Sequence, residues 1–145
     1  MLTLDGGGAA MAKSGMTQTI ATMTLVVADY DEAIAFYCGK LGFTLLGDTD
    51  MGGGKRWVVV GPTEHGARLL LAKADGEAQH AAIGNQTGGR VMGFLETHDF
   101  AGDFAAMTAN GVRFLEAPRH EAYGSVAVFE DLYGNKWDLL EPKVG

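Results

Sequence analysis

Gly124-Ser125-Val126-Ala127-Val128-Phe129-Glu130-Asp131-Leu132-Tyr133-Gly134-Asn135-Lys136-Trp137-Asp138-Leu139-Leu140-Glu141-Pro142 reads as two strands folded about a tight turn. Val126, Val128 and Phe129 favour extended backbone, Tyr133-Gly134-Asn135 supplies the turn, and Trp137, Leu139 and Leu140 resume a strand. Alternation then sends Lys136, Asp138 and Leu140 to one face of the second strand and Trp137, Leu139 and Glu141 to the other. Asp138 therefore lies mid-strand on a face it shares with an apolar residue. A carboxylate so placed needs a partner.

Upstream of this hairpin, Arg90 to Glu96 has strand composition. Phe100, Phe104 and Met107 then mark a helix face, and Asn110-Gly111 ends that helix. Val112 to Leu115 is a further strand and Pro118 marks a loop, so this half reads βαβββ. The same order occurs earlier in the chain. Met23 to Val27 is a strand, and Asp29 to Glu32 is a capping box. Ile34, Tyr37, Cys38 and Leu41 line one helix face, and Gly42 ends it. Phe43–Leu46, Arg56–Val60 and Arg68–Ala72 complete the unit. The expected organisation is an N-terminal extension (1–16), a first βαβββ module (17–75), a polar connection (76–89) and a second module (90–145). Two copies of one supersecondary unit define an α+β fold of mixed sheets.

Composition narrows the function. The chain has 145 residues, 47% hydrophobic and 20% charged, as a globular domain does. A formal net charge of −7 argues against nucleic acid or an anionic membrane as the main partner. No apolar run approaches the ~18 residues that span a bilayer. The single cysteine, Cys38, cannot form an internal disulfide, which fits a reducing, cytoplasmic setting. Residues 1–16 lack the basic and apolar regions of a secretory signal. His65, His80, His98 and His120 show no paired metal spacing.

Three stretches, in order, resemble one known family. They are Val27-Ala28-Asp29 with Ala33–Tyr37 and Leu41-Gly42-Phe43, then Asn110-Gly111-Val112, then Phe129–Asp138. They resemble the vicinal oxygen chelate superfamily, which holds glyoxalase I, extradiol dioxygenases, and fosfomycin- and bleomycin-resistance proteins. The resemblance implies two modules curled into a cup-shaped cavity, commonly in a homodimer. Metal-dependent members hold a divalent ion with one side chain from each of four strands. Here those positions fall on Thr22, on or beside Leu70, on Met92 (or Val91 or Gly93, one residue either way), and on Asp138. Only Asp138 suits such an ion. The expectation is therefore a small-molecule-binding protein without the usual metal or any other cofactor. A divalent-metal glyoxalase-like lyase or extradiol-dioxygenase-like enzyme is the alternative, with Asp138 and Glu96 as ligands and His98 drawn in.

If Met92 faces the cavity, strand parity brings Arg90, Phe94 and Glu96 with it. Arg90 then pairs with Asp138 or Glu96, or binds an anionic substrate group. A metal-free enzyme would use Arg90 to polarise an oxyanion and Asp138 or Glu96 as base. Trp57 and Tyr123 are further candidates for a cavity wall, and Gly84–Gly89 is either a ligand-contacting loop or a plain connection. The ligand expected is small, partly apolar or aromatic, and anionic.

Overall fold

The structure is a computed structural model that describes residues 17–144, so the expected N-terminal extension lies outside the described residues. Strand β1 (Thr22–Val27) leads into α1 (Tyr30–Ile34), whose N-terminus is capped by Asp29 accepting from the Glu32 amide. The helix then widens into a π-helical turn, Ala35–Lys40, with the Leu41 amide reaching back to the Phe36 carbonyl. That turn carries Phe36 and Tyr37 into the core, where Tyr37 has no exposed surface. Gly42 follows at a φ of 81°, a conformation that suits glycine.

Strands β2 (Thr44–Gly52), β3 (Lys55–Gly61) and β4 (Arg68–Lys73) complete the first sheet in the order β1-β4-β3-β2, with β1 parallel to β4. A short helix, α2 (Glu77–Ala82), occupies the connection, where the sequence showed only a polar stretch. The second half is β5 (Val91–Glu96), α3 (Phe100–Ala109), β6 (Arg113–Phe114), β7 (Arg119–Glu121), β8 (Gly124–Glu130) and β9 (Lys136–Pro142). Its sheet runs β5-β9-β8-β6, with β5 parallel to β9 and β7 paired to β8. The fold is α+β with two mixed sheets of matching order. No helix among the described residues is long and apolar enough to cross a membrane.

Both halves feed one core. Leu25, Val27, Val58, Val60 and Leu71 from the first sheet meet Ala127, Phe129, Trp137 and Leu139 from the second. Tyr37 contacts Phe36, Phe43 and Trp137, and Trp137 stacks on Phe129 at a ring separation of 6.1 Å. A buried polar knot crosses the same seam. Asp131 accepts from the Tyr37 hydroxyl at 2.6 Å, from the Asn135 side chain at 2.9 Å, and from the Tyr133 and Asn135 amides. The Trp137 indole N–H donates to the Tyr37 oxygen at 3.2 Å. Burial and the adjacent Asp131 carboxylate push the Tyr37 phenol far above its ordinary value, so it stays a neutral donor.

Candidate functional site

With the core-facing residues of each sheet turned inward, alternate residues form two open faces. On the second sheet, Asp138 of β9 is flanked by Phe94 of β5 and Val128 of β8, its register partners. A cavity of about 600 Å³ lies over this face. Arg90, Phe94, Leu115, Glu116, Lys136 and Asp138 are among the residues around it.

The polar groups of this cup are held unequally. Glu116 accepts from the Arg119 guanidinium at 3.0 Å and from the Val128 amide at 3.0 Å, and Arg119 also reaches Glu121 at 2.9 Å. The Arg119 hydrogen bond holds the Glu116 carboxyl below the ordinary carboxylate range. Asp138 has no such support: its Oδ1 is buried and has no hydrogen-bond partner among the described residues. Burial pushes its carboxyl above the ordinary range, Arg119 draws it back in part, and Glu116 adds to the rise. Lys136 reaches only the Gly89 carbonyl, at 3.4 Å. Arg90 forms no ion pair with Asp138, Glu96 or any other carboxylate among the described residues.

Arg90 is positioned by the loop before it. The Gln86 side chain accepts from the Val26 amide at 3.1 Å and donates to the Ala82 carbonyl at 2.8 Å. The Thr87 hydroxyl donates to the Arg90 carbonyl at 2.6 Å. At Gly84, φ is 73° and an added Cβ would collide with the Tyr133 carbonyl, so glycine is required where the connection crosses the β8–β9 turn. Gly84–Gly89 is thus a built turn, tied to the edge of β1.

Parity from Met92 fails at one point. The β5–β9 register shifts between Val91 and Gly93, and Met92 packs against the core while Phe94 faces the cup. The cause is Gly93, whose Cα lies against the Trp137 ring with no room for a side chain. Met92 instead borders a separate cavity of about 460 Å³ between the two sheets. Leu25, Phe43, Val60 and Trp137 of the core line that cavity together with the exposed Met23 and Phe94 and the polar Thr24, Arg68, Gln86 and Thr87. The polar side chains of Gln86 and Arg68 at its margin are engaged, Gln86 as above and Arg68 on the Glu64 carbonyl. The cup differs from this gap in holding carboxylates, Asp138 and Glu116, beside its cations.

The remaining candidates are scattered. Glu96 is exposed two register pairs beyond Phe94, opposite Leu140. Thr22 opens β1 opposite Arg68, and Trp57, 48% exposed, lies on β3 of the first sheet. Tyr123 is exposed on the β7–β8 turn, 3.5 Å from Arg119. None of Glu96, Thr22, Trp57 or Tyr123 lines the cup. Glu116, the partner that fixes Arg119 beside Asp138, was not singled out from the sequence. Its signal was an opposite charge three residues from Arg119 across Pro118.

Two matching mixed sheets, each built from a parallel pair and an antiparallel hairpin, define the class. The chain belongs to the Glyoxalase/Bleomycin resistance protein/Dioxygenase superfamily, whose family model matches residues 19–139. It is 54% identical over 128 residues to an uncharacterized protein of Shewanella frigidimarina (strain NCIMB 400), covering 87% of this chain and 95% of the relative. Among solved structures it is similar to UcmS2, at 30% identity and a TM-score of 0.75, covering 86% and 98% of the two chains. It is also similar to TnmS3, an antibiotic binding protein from Streptomyces sp. CB03234, at 25% identity and a TM-score of 0.69, covering 90% and 100%.

A divalent ion of the kind held by metal-dependent members does not fit the residues present. Thr22 and Leu70 belong to the first sheet, Met92 turns into the core, and Asp138 stands alone on the second. Among the described residues no group of three or more His, Cys, Asp or Glu side chains is placed to hold a metal.

Proposed function

We propose that this chain binds a small, partly aromatic molecule in the cup over the second sheet, and does so without a metal ion. The carrying observation is Asp138 Oδ1, buried at the cup floor with no partner. Leaving such an atom unsatisfied costs about 1–3 kcal/mol, a cost that a ligand hydrogen bond removes. Further support comes from the similarity to TnmS3, named as an antibiotic binding protein. Arg90 and Phe94 supply an unpaired cation and an exposed ring at the same site.

In this reading two copies associate, each laying the first-sheet face that carries Trp57 over the other's cup. The motive is that Trp57 and Phe94 are both exposed yet border no common cavity within one chain. The working compartment is cytoplasmic, consistent with a lone cysteine, and the ligand is neither nucleic acid nor membrane, consistent with the net charge of −7. The test is elemental analysis of the purified protein, followed by thermal-shift screening of small aromatic anions with Arg90→Ala as control. Substoichiometric metal and a ligand shift lost in Arg90→Ala are expected. Near-stoichiometric metal that disappears in Asp138→Ala overturns the metal-free reading and turns attention to glyoxalase and dioxygenase chemistry.

A further inference from the structure

We infer that the cup selects a flat aromatic molecule bearing an anionic group and, about two strand residues away (~7 Å), an O–H or N–H donor. The anion meets Arg90 and Lys136, the ring covers Phe94 and Val128, and the donor meets Asp138 Oδ1. A hydroxyaryl carboxylate is the simplest molecule of this kind. The inference rests on the reading of the cup as the binding site and adds the chemistry of its occupant.

The spacing comes from the strand. Lys136 and Asp138 are two residues apart on the same face of β9, and their register partners on β5 are Val91 and Phe94. One end of the cup therefore holds Lys136, whose ammonium reaches the carbonyl of Gly89, the residue before Arg90, and its middle holds Asp138 opposite its register partner Phe94. Phe94 is 64% exposed, an unusual state for a phenylalanine on a sheet face and a ready platform for a planar ring.

The charges are held apart. The chain has 18 acidic residues and 11 basic ones, so a cation has carboxylates to choose from. Arg56, Arg113 and Arg119 take them, at 2.7–3.4 Å. Arg90 and Lys136, like Arg68, Lys40, Lys55, Lys73 and Lys143, take none among the described residues, but of these only Arg90 and Lys136 line the cavity that contains Asp138. Arg119 is also committed, gripped by Glu116 and Glu121, so it does not close on Asp138. Groups of opposite sign set about two strand residues apart in one cup suit a molecule with the complementary pair.

The test uses the full chain and three probes: a hydroxynaphthoate, naphthoate without the hydroxyl, and naphthol without the carboxylate. Affinity is read by calorimetry and the site by amide chemical shifts at Phe94, Val128 and Asp138. The hydroxynaphthoate is expected to bind about tenfold tighter than either truncated probe. Asp138→Asn should abolish the advantage over naphthoate, and Arg90→Ala with Lys136→Ala the advantage over naphthol. Equal binding of all three, with shifts in the cup, overturns the ligand class and leaves the cup as the site. No binding by any probe, or shifts confined to other residues, overturns both.

Discussion

The open faces of the two sheets have the same backbone and different chemistry. Across the parallel pair of the first sheet, Thr24 lies beside Leu70, with Val59 on the next strand. Across the parallel pair of the second, Phe94 lies beside Asp138, with Val128 beyond. The first face has no carboxylate at its centre and the second has one it does not satisfy. A repeated supersecondary unit thus gives two equivalent open faces, while a single strand position makes their chemistry differ.

Both faces are mounted on one core, so the largest effect is expected where that core is knotted. Asp131 accepts four hydrogen bonds at 2.6–2.9 Å and joins Tyr37 of the first half to Asn135 of the second. Asp131→Ala should cost about 3–5 kcal/mol, because buried donors on both sides lose their acceptor. Urea denaturation reads this as a lower midpoint. A loss below 1 kcal/mol would mean that the halves are held together by apolar packing alone.

Next in size is Gly93→Ala. The added Cβ would meet the Trp137 ring at 2.6 Å, and ring or strand must move, at about 1–3 kcal/mol. Because Phe94 follows directly, ligand binding in the cup should weaken as well. Stability lost with binding unchanged would show that the cup does not depend on the β5 register.

Gly93 also shows how far sequence reading reaches. The fold was legible because its punctuation is local. Gly42 and Gly111 end equivalent helical segments at φ values of 81° and 89°, and the β8–β9 hairpin declares itself by alternation and turn residues. The π-helical turn and α2 were not legible. The first keeps the apolar face of an ordinary helix, and the second starts at Gly76 with no side-chain cap. On the second sheet, Phe94 and Asp138 are register partners that both line the cup, while Met92 does not follow them, since the shift that turns it inward depends on a ring forty-odd residues later in the chain. Of the roles open to Arg90, an ion pair with Asp138 or Glu96 is absent among the described residues for a similar reason: strand parity gives the side of a sheet, not the distance across it.

Asp138→Asn should be smaller in effect and opposite in sign. Burial raises the folded-state value of this carboxyl above its unfolded value of about 3.9. The folded protein therefore holds that proton more tightly, and the associated stability is full below the unfolded value and lost as pH rises through the folded one. Asparagine carries no charge to desolvate, so the variant should melt a few degrees higher near pH 7, with the gain shrinking toward pH 4. Arg119 draws the Asp138 carboxyl back down in part, and Glu116, itself held low by Arg119, adds to its rise. A difference that does not change with pH would show that burial of the charge is not what strains the second face.

The smallest expected effect belongs to the first face and tests its silence. Trp57 is half exposed, and Trp57→Ala should change stability by no more than about 0.5 kcal/mol. In a single chain it should also leave ligand affinity unchanged, since Trp57 does not border the cup. If two chains pair face over cup, the same change should weaken binding at concentrations where sedimentation shows a dimer and not where it shows a monomer. An affinity that ignores Trp57 at every concentration confines the site to one chain and leaves the first face as scaffold. An affinity that follows the dimer makes the two unlike faces the two walls of one site.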